Sequence, residues 1–368
     1  MNEKPQPCTH CGAVHPRANL TWMGSAELCP ECLQRYTVCC DCCGERIWMA
    51  NDYGTHYLHL CASCRADNYV TCENCGALIP QEDAHYNDED EAYCDSCYER
   101  GYGGTIHNYS YKPEPIFYGD GPLYLGVELE VDEAGKDNIN AVQALRAFNQ
   151  ENVYGYVKSD GSLNDGFELV THPCTLETHL QQVPWRETLE ALRGMGYRSH
   201  APGTCGLHVH VSRKALGKDV YEQEETIAKL LYIFERFWQE ILRFSRRTES
   251  QINHWAARYG YKDRGEEILK EAKHGANGRY ACINPTNTDT IKFRVFRGTL
   301  KYNTVIATLQ FVANLCRVAI SLPEYRIQEF SWPALIEALT QDNCPELVQY
   351  LKERNLYVNE PVTAEREV

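Results

Sequence analysis

No apolar stretch in the 368-residue chain approaches the ~20 residues that cross a bilayer, so no membrane span and no membrane partner are expected. The first seven residues, Met1 to Pro7, hold no apolar block of the kind a secretory leader carries. Basic excess is missing too: 36 Lys and Arg stand against 51 Asp and Glu, a formal charge of −15. A nucleic-acid footprint is basic, so the composition argues against that class of partner. Disorder is excluded, because 43% apolar and 24% charged residues are ordinary values for a folded chain. Cysteine is what the sequence has in plenty, with 19 residues. Without a leader, that number points to a reducing, cytoplasmic setting in which dense cysteine serves metal rather than disulfides. At about 150 residues per domain, the length suggests two or three domains.

Fourteen cysteines fall in residues 1–100 and five in residues 101–368. The same first hundred residues hold 6 Lys and Arg against 16 Asp and Glu, so the cysteine-rich part is also the acidic part. It repeats every 32 residues: Cys8-x-x-Cys11-Gly12, Cys40-x-x-Cys43-Gly44 and Cys72-x-x-Cys75-Gly76. Second pairs follow at Cys29/Cys32, Cys61/Cys64 and Cys94/Cys97, after gaps of 17, 17 and 18 residues. Zn²⁺ takes four thiolates in a tetrahedron; a C-x-x-C turn offers two, and a short hairpin brings back the other two. The spacing therefore predicts three zinc modules, at about 8–32, 40–64 and 72–97. The glycine after each first pair suits a turn that needs positive φ. Cys39 and Cys42 form an off-register pair, and the period together with Gly44 selects Cys40 and Cys43 as ligands. Disulfides or free thiols, or ligands shared between neighbouring modules, are the alternatives. His56, His59 and His85 are read as hairpin residues, because four thiols already complete each site. Modules this small bury little core, so zinc supplies their folding free energy. With no ligand missing, the centres are expected to be structural.

Residues 101–122, rich in Gly, Pro and Tyr, read as a linker. A second domain is expected over 123–358, and a loose tail over 359–368. In 123–132, Leu125, Val127, Leu129 and Val131 alternate with Glu128 and Glu130, as in a strand with one apolar face. The same alternation places Glu168 opposite Phe167 and Leu169, and His208 and His210 opposite Leu207, Val209 and Val211. Lys292 and Arg294 alternate with Ile291, Phe293 and Val295, and Arg297 closes that strand. One such strand is an ordinary solvated face. Four in one antiparallel sheet would make a face of carboxylates, imidazoles and guanidiniums suited to Mg²⁺ or Mn²⁺ and to phosphate. Asp160, in Ser159-Asp160-Gly161-Ser162, is either turn chemistry or a group that reaches the metal or an amine.

Helical periodicity marks Asn138–Gln150, Leu176–Gly194 with an interruption at Pro184, Glu222–Ser245, Thr304–Ser321, Pro333–Thr340 and Pro345–Arg354. Strands and helices together predict an α+β domain. Tyr280, Asn284 and Asn287 precede the Arg strand, either lining a pocket or shaping its loop. Cys205 is read as a small buried residue rather than a nucleophile.

Four motifs carry a resemblance: Gly126-Val-Glu-Leu-Glu-Val-Asp132, Asp160-Gly-Ser with Gly166-Phe-Glu-Leu-Val170, Cys205-Gly-Leu-His-Val-His-Val-Ser212, and Phe293-Arg-Val-Phe-Arg-Gly-Thr-Leu300. In this order they resemble the amidoligase family of the glutamine synthetase-like carboxylate–amine ligases, over about residues 120–325. The resemblance implies a glutamine synthetase-like antiparallel sheet with flanking helices. It also implies ATP-dependent amide or isopeptide bond formation through an acyl phosphate, with ATP and Mg²⁺ (or Mn²⁺) as cofactors beside three Zn²⁺. Matched by motif, Glu128, Glu130, Glu168 and His208 would hold divalent ions, and His210 a phosphate or metal. Arg294 and Arg297 would neutralise the transferred phosphoryl group. Lys292 stands where the family carries an acid; it would contact phosphate or substrate instead, with an ion lost or held by Asp132 or Asp160. The substrates would be a carboxylate and an amine, including a peptide or protein. The acidic zinc modules would recognise the substrate or a protein partner. The alternative is a non-catalytic interaction scaffold with a degenerate ligase domain.

Overall fold

The computed structural model describes residues 4–87, 90–99, 104–275 and 278–357; the start of the expected linker and the expected tail lie outside these residues. Two compact units meet at Gly104 and Thr105.

The first unit is built from very short elements. The ribbons Gln6–Pro7/Val14–His15, Thr37–Cys39/Arg46–Trp48 and Tyr69–Thr71/Leu78–Pro80 each carry a first cysteine pair at their bend. Within each bend the amide of the leading cysteine donates to the carbonyl five residues on, and the glycine amide donates back to that cysteine. The geometry needs a left-handed residue, and Gly12, Gly44 and Gly76 supply it at φ 75°, 75° and 70°. Each second pair opens a helix: Pro30–Tyr36 after Cys29, Ala62–Asn68 after Cys61, Asp95–Glu99 after Cys94. A second ribbon leads into it in the first and third modules (Thr21–Met23/Ala26–Leu28 and His85–Tyr86/Ala92–Tyr93), and a tight loop in the second. The buried apolar content beside the thiols is Leu28 in the first module, Leu60 in the second, and Ala92 with Tyr93 in the third.

The second unit is α+β. Its strands are β1 (Ile106–His107), β2 (Tyr124–Val131), β3 (Gly155–Lys158), β4 (Phe167–Thr171), β5 (Cys174–Thr175), β6 (Leu207–Ser212), β7 (Ile283–Asn284) and β8 (Thr290–Phe293). They form one sheet in the order β1-β3-β4-β2-β6-β8-β7, with β5 extending the pairing of β2. Every pair is antiparallel except β1 with β3. The segment read as linker thus reaches into the domain: β1 is its edge strand, and Ile106 and Tyr118 pack on the core.

One face of the sheet packs Leu125, Val127, Leu129, Val131, Leu169, Leu207, Val209 and Phe293 against the helices Val220–Arg236 and Tyr302–Ser321. Burying so many large side chains at ~25 cal/mol per Å² is what a metal-independent fold requires. The helix Tyr302–Ser321 is 20 residues long and holds an 18-residue window of mean hydropathy 1.5, long and apolar enough to cross a membrane by length and composition. That corrects the expectation that no segment reaches this length. Thr304, Thr308, Gln310 and Asn314 interrupt its apolar sequence, yet these side chains are buried as well. The helix is 83% buried as the core element of this domain. The long helix expected over Glu222–Ser245 is two, Val220–Arg236 and Trp238–Ser245, broken at Phe237. Asn138–Phe148, Leu176–Gln181, Trp185–Gly194, Trp332–Leu339 and Pro345–Glu353 occupy the other expected helices, with Pro184 capping the third of these five.

Candidate functional site

In the first unit the thiol sulfurs of Cys8/Cys11/Cys29/Cys32, Cys40/Cys43/Cys61/Cys64 and Cys72/Cys75/Cys94/Cys97 gather into three groups, each within 4.8 Å. The sulfurs of Cys11 and Cys29 are 3.9 Å apart, those of Cys43 and Cys61 3.9 Å, and those of Cys75 and Cys94 3.8 Å. A tetrahedron with Zn–S bonds of about 2.3 Å has edges of roughly 3.8 Å, so the donor sets fit Zn²⁺. All 19 cysteines are free thiols, which removes the disulfide alternative, and each group draws on one module alone. Cys39 and Cys42 are exposed and outside the groups, as the 32-residue register requires. The histidines serve the scaffold: His59 pairs with Asp52 at 2.5 Å and His85 with Asp95 at 2.8 Å.

In the second unit, strand register assembles the other face. Glu130 lies opposite Glu168, Glu168 opposite Lys158, Glu128 opposite His208, and His210 opposite Lys292. This face is not solvated. Glu130, Glu168 and His208 are 4%, 2% and 2% exposed. Buried carboxylates cost free energy unless cations meet them. Two groups of potential ligands result, Glu128/Glu168/His208 and Glu130/Asp160/Glu168, each within 4.8 Å and sharing Glu168. His208 Nδ1 stands 3.1 Å from Glu128 and 3.6 Å from Glu130. His210 Nε2 lies 2.9 Å from Glu128, and its Nδ1 faces the Thr290 hydroxyl at 3.1 Å.

The electrostatics differ from one acid to the next. Burial works to raise Glu128, but the Lys292 ammonium and His210 outweigh it and hold the carboxyl well below the usual range. Burial pushes Glu130 up to about 7, the Asp160 charge adding to it while the Gly206 amide and Arg294 oppose. Burial and the Glu128 charge push Glu168 well above the usual range, and Lys158 offsets only part. Burial, then Lys292 and Arg294, force His208 far down, so its ring is neutral and able to ligate. Two buried carboxyls that resist ionisation beside a neutral imidazole form a donor set that a hard divalent cation satisfies.

Guanidiniums border the acids. Arg294 acts on Glu130 and His208 and stands over the Tyr280 ring at 5.6 Å, and the charges of Arg294 and Arg297 both act on Arg247. The Nε atoms of Arg294 and Arg297, and both Nε and Nη1 of Arg247, are buried without a hydrogen-bond partner. Arg247 is 6% exposed, and burial lowers its guanidinium to about 10. Buried donors left unpaired cost about 1–3 kcal/mol each, which an anion would recover. Gly206 makes the approach possible: a Cβ there would meet His208 Nε2 at 2.3 Å and Arg247 Nη2 at 3.0 Å. Its amide donates to Glu130 Oε2 at 2.5 Å.

Lys158 and Arg247 were not anticipated. Lys158 pairs with Glu168 at 3.3 Å; its position two residues before Asp160 was the available hint. Arg247 follows a helix end at Ser245, and no spacing ties it to the sheet. Asp132 is not a cation ligand, because the amides of Glu133, Asn164 and Asp165 and the Thr204 hydroxyl already occupy its carboxylate. Asn284 accepts from the Thr286 amide and hydroxyl, and Asn287 donates to Thr290, so both shape the loop. Cys205 is 1% exposed, and burial pushes its thiol up to about 12, which disqualifies it as a nucleophile.

Residues 146–316 match the family model described as "Putative amidoligase enzyme". The matched stretch contains Asp160, Glu168, His208, His210, Arg247, Lys292, Arg294 and Arg297, and the motif of Glu128 and Glu130 precedes it. The match covers a little under half of the chain and lies wholly within the second unit. No curated protein matches the chain. Among solved structures, it is similar to the complex between Prokaryotic Ubiquitin-like Protein Pup and its ligase PafA, with 9% identity, TM-score 0.29, and coverage of 63% of this chain and 62% of that one. It is also similar to a bifunctional glutathione synthetase from Pasteurella multocida, with 15% identity, TM-score 0.31, and coverage of 63% and 46%. The chain spans less than two thirds of either neighbour.

Proposed function

We propose that the second unit joins a carboxylate to an amine at the expense of ATP, through an acyl phosphate. The observation that carries this reading is the buried pair of acidic groups sharing Glu168, with guanidiniums nearby that each keep at least one buried donor without a partner. Glu130, Asp160 and Glu168, with Glu128 and His208 adjoining, would hold Mg²⁺ or Mn²⁺. Such ions, when bound, screen the nucleotide phosphates and align the terminal phosphoryl group. Arg294, Arg297 and Arg247 would receive the oxygens of the transferred phosphoryl group, their fixed positions supplying charge stabilisation without reorganisation. The substrate carboxylate attacks the terminal phosphorus and ADP leaves. The amine nitrogen then attacks the acyl carbon, phosphate leaves, and the amide is released with one proton. Holding acid, phosphoryl donor and amine together can remove roughly 7–11 kcal/mol of barrier.

The zinc modules act in substrate or partner recognition. Their surplus of acidic residues, with Trp22, Tyr53 and Tyr57 exposed at 62%, 54% and 92%, suits a basic peptide segment. A cytoplasmic location accords with reduced thiols.

The test is ADP release from Mg·ATP over a panel of acid and amine pairs. Glu128→Ala should lower it at least a hundredfold. Undiminished release in that variant would remove Glu128 from the site. Absence of ADP release and of nucleotide binding in the unaltered chain would instead favour the scaffold reading.

A further inference from the structure

We infer that Lys292 stands permanently in the place of one divalent cation, so that the site takes a single ion, at Glu130, Asp160 and Glu168. The inference rests on the proposed ligase reading of the same face. Lys292 lies on β8 beside His210 of β6, and reaches across to Glu128 of β2. Its Nζ contacts Glu128 Oε2, with only 12% and 13% of the two side chains exposed. His208 Nδ1 lies 3.1 Å from the same oxygen, and His210 Nε2 lies 2.9 Å from Oε1. Both oxygens of Glu128 therefore already face donors. An ion entering the Glu128/Glu168/His208 group would sit against a fixed ammonium, and in a buried site that repulsion is weakly screened.

The adjoining group is different. Among the described residues, no Lys or Arg forms an ion pair with Glu130 or Asp160. Asp160 uses Oδ1 for the Ser162 amide and hydroxyl, at 2.7 and 2.5 Å, which leaves Oδ2. Glu130 gives Oε2 to the Gly206 amide, and its Oε1 has His208 Nδ1 at 3.6 Å, beyond hydrogen-bond reach, which leaves it open. Glu168 meets Lys158 through Oε2, which leaves Oε1. One oxygen on each of three carboxylates is open to a hard cation, with water completing its shell. An ammonium carries one charge and cannot accept a lone pair, so Lys292 keeps the neutralising part of an ion's work and gives up its Lewis acidity.

The experiment counts Mn²⁺ by electron paramagnetic resonance on the zinc-loaded full chain with a non-hydrolysable ATP analogue. The unaltered chain should hold one tightly bound Mn²⁺. Lys292→Glu should hold two, and Lys292→Leu, which frees Glu128 without adding a ligand, should bind the second ion at least tenfold more tightly than the unaltered chain does. Two ions in the unaltered chain, or one in both variants with their melting preserved, would overturn the inference while leaving the ligase reading intact. If the unaltered chain and Glu168→Gln alike retain no Mn²⁺ with the analogue, the ligase reading falls and takes the inference with it.

Discussion

In the first unit no described strand exceeds three residues, and one large side chain per module lies beside four thiols. In the second, an eight-stranded sheet and long helices bury dozens of apolar residues, while the opposite sheet face holds carboxylates. Both units bring metal-binding atoms within 4.8 Å of one another, but for opposite reasons. Soft thiolates in closed four-ligand sets make the metal part of the fold. Hard oxygens on a sheet that folds through its other face leave the metal free to serve chemistry. The same contrast explains the cost each unit carries. The modules bury too little to fold without a metal at their thiols, and the sheet bears the desolvation of Glu130 and Glu168, which Lys158 offsets only in part.

The contrast can be broken most forcefully at Cys40. A structural zinc contributes about 10–16 kcal/mol in small modules, so Cys40→Ser should unfold the second module. Metal analysis should fall from three Zn²⁺ per chain to two, with the melting of the second unit unmoved. A retained third zinc would show that the site is not closed as described. Leu129→Ala works in the reverse direction. Leu129 is fully buried beneath the acidic face, so about 2–5 kcal/mol of stability should be lost in urea titration of the second unit, with zinc content unchanged.

Acid sharpens the comparison through His179. Burial lowers this imidazole to about 4, while its Nε2 bonds the Leu125 carbonyl at 3.1 Å and its Nδ1 accepts from the Trp185 indole at 3.4 Å. The unfolded chain, titrating near 6.5, binds more protons between pH 6.5 and 4, so stability falls as pH falls through that window. The expected loss is roughly 3 kcal/mol. His179→Gln should flatten that slope relative to the unaltered chain, and a variant with an identical slope would discharge His179 from the role. The smallest effect is expected at the off-register thiols. Cys39→Ser with Cys42→Ser should leave three zinc ions and shift stability by under about 0.5 kcal/mol, because both residues are exposed.

How far the sequence could be read follows the same division. The zinc ligands were legible one by one, because thiolate spacing is local and a 32-residue period excludes Cys39 and Cys42. Alternation on single strands was enough to place Glu128, Glu130, Glu168 and His208 on one face. Burial of that face was not legible, since a strand does not announce what covers its polar side. Arg247 and Lys158 were missed because long-range packing brings them in. Of the two acids offered for a displaced ion, Asp132 is engaged by the adjacent Glu133 amide and by three donors from distant loops, which its strand position could not reveal.

The central claim is that the buried acids of the second unit exist for a nucleotide-bound cation rather than for the fold. Calorimetry with a non-hydrolysable ATP analogue and Mg²⁺ tests it on the unaltered chain and on Glu168→Gln, with melting recorded for both. Binding by the unaltered chain, weakened at least tenfold in Glu168→Gln without a lower melting temperature, is the expected result. Equal binding by both chains, or a variant that loses stability rather than affinity, would contradict the claim.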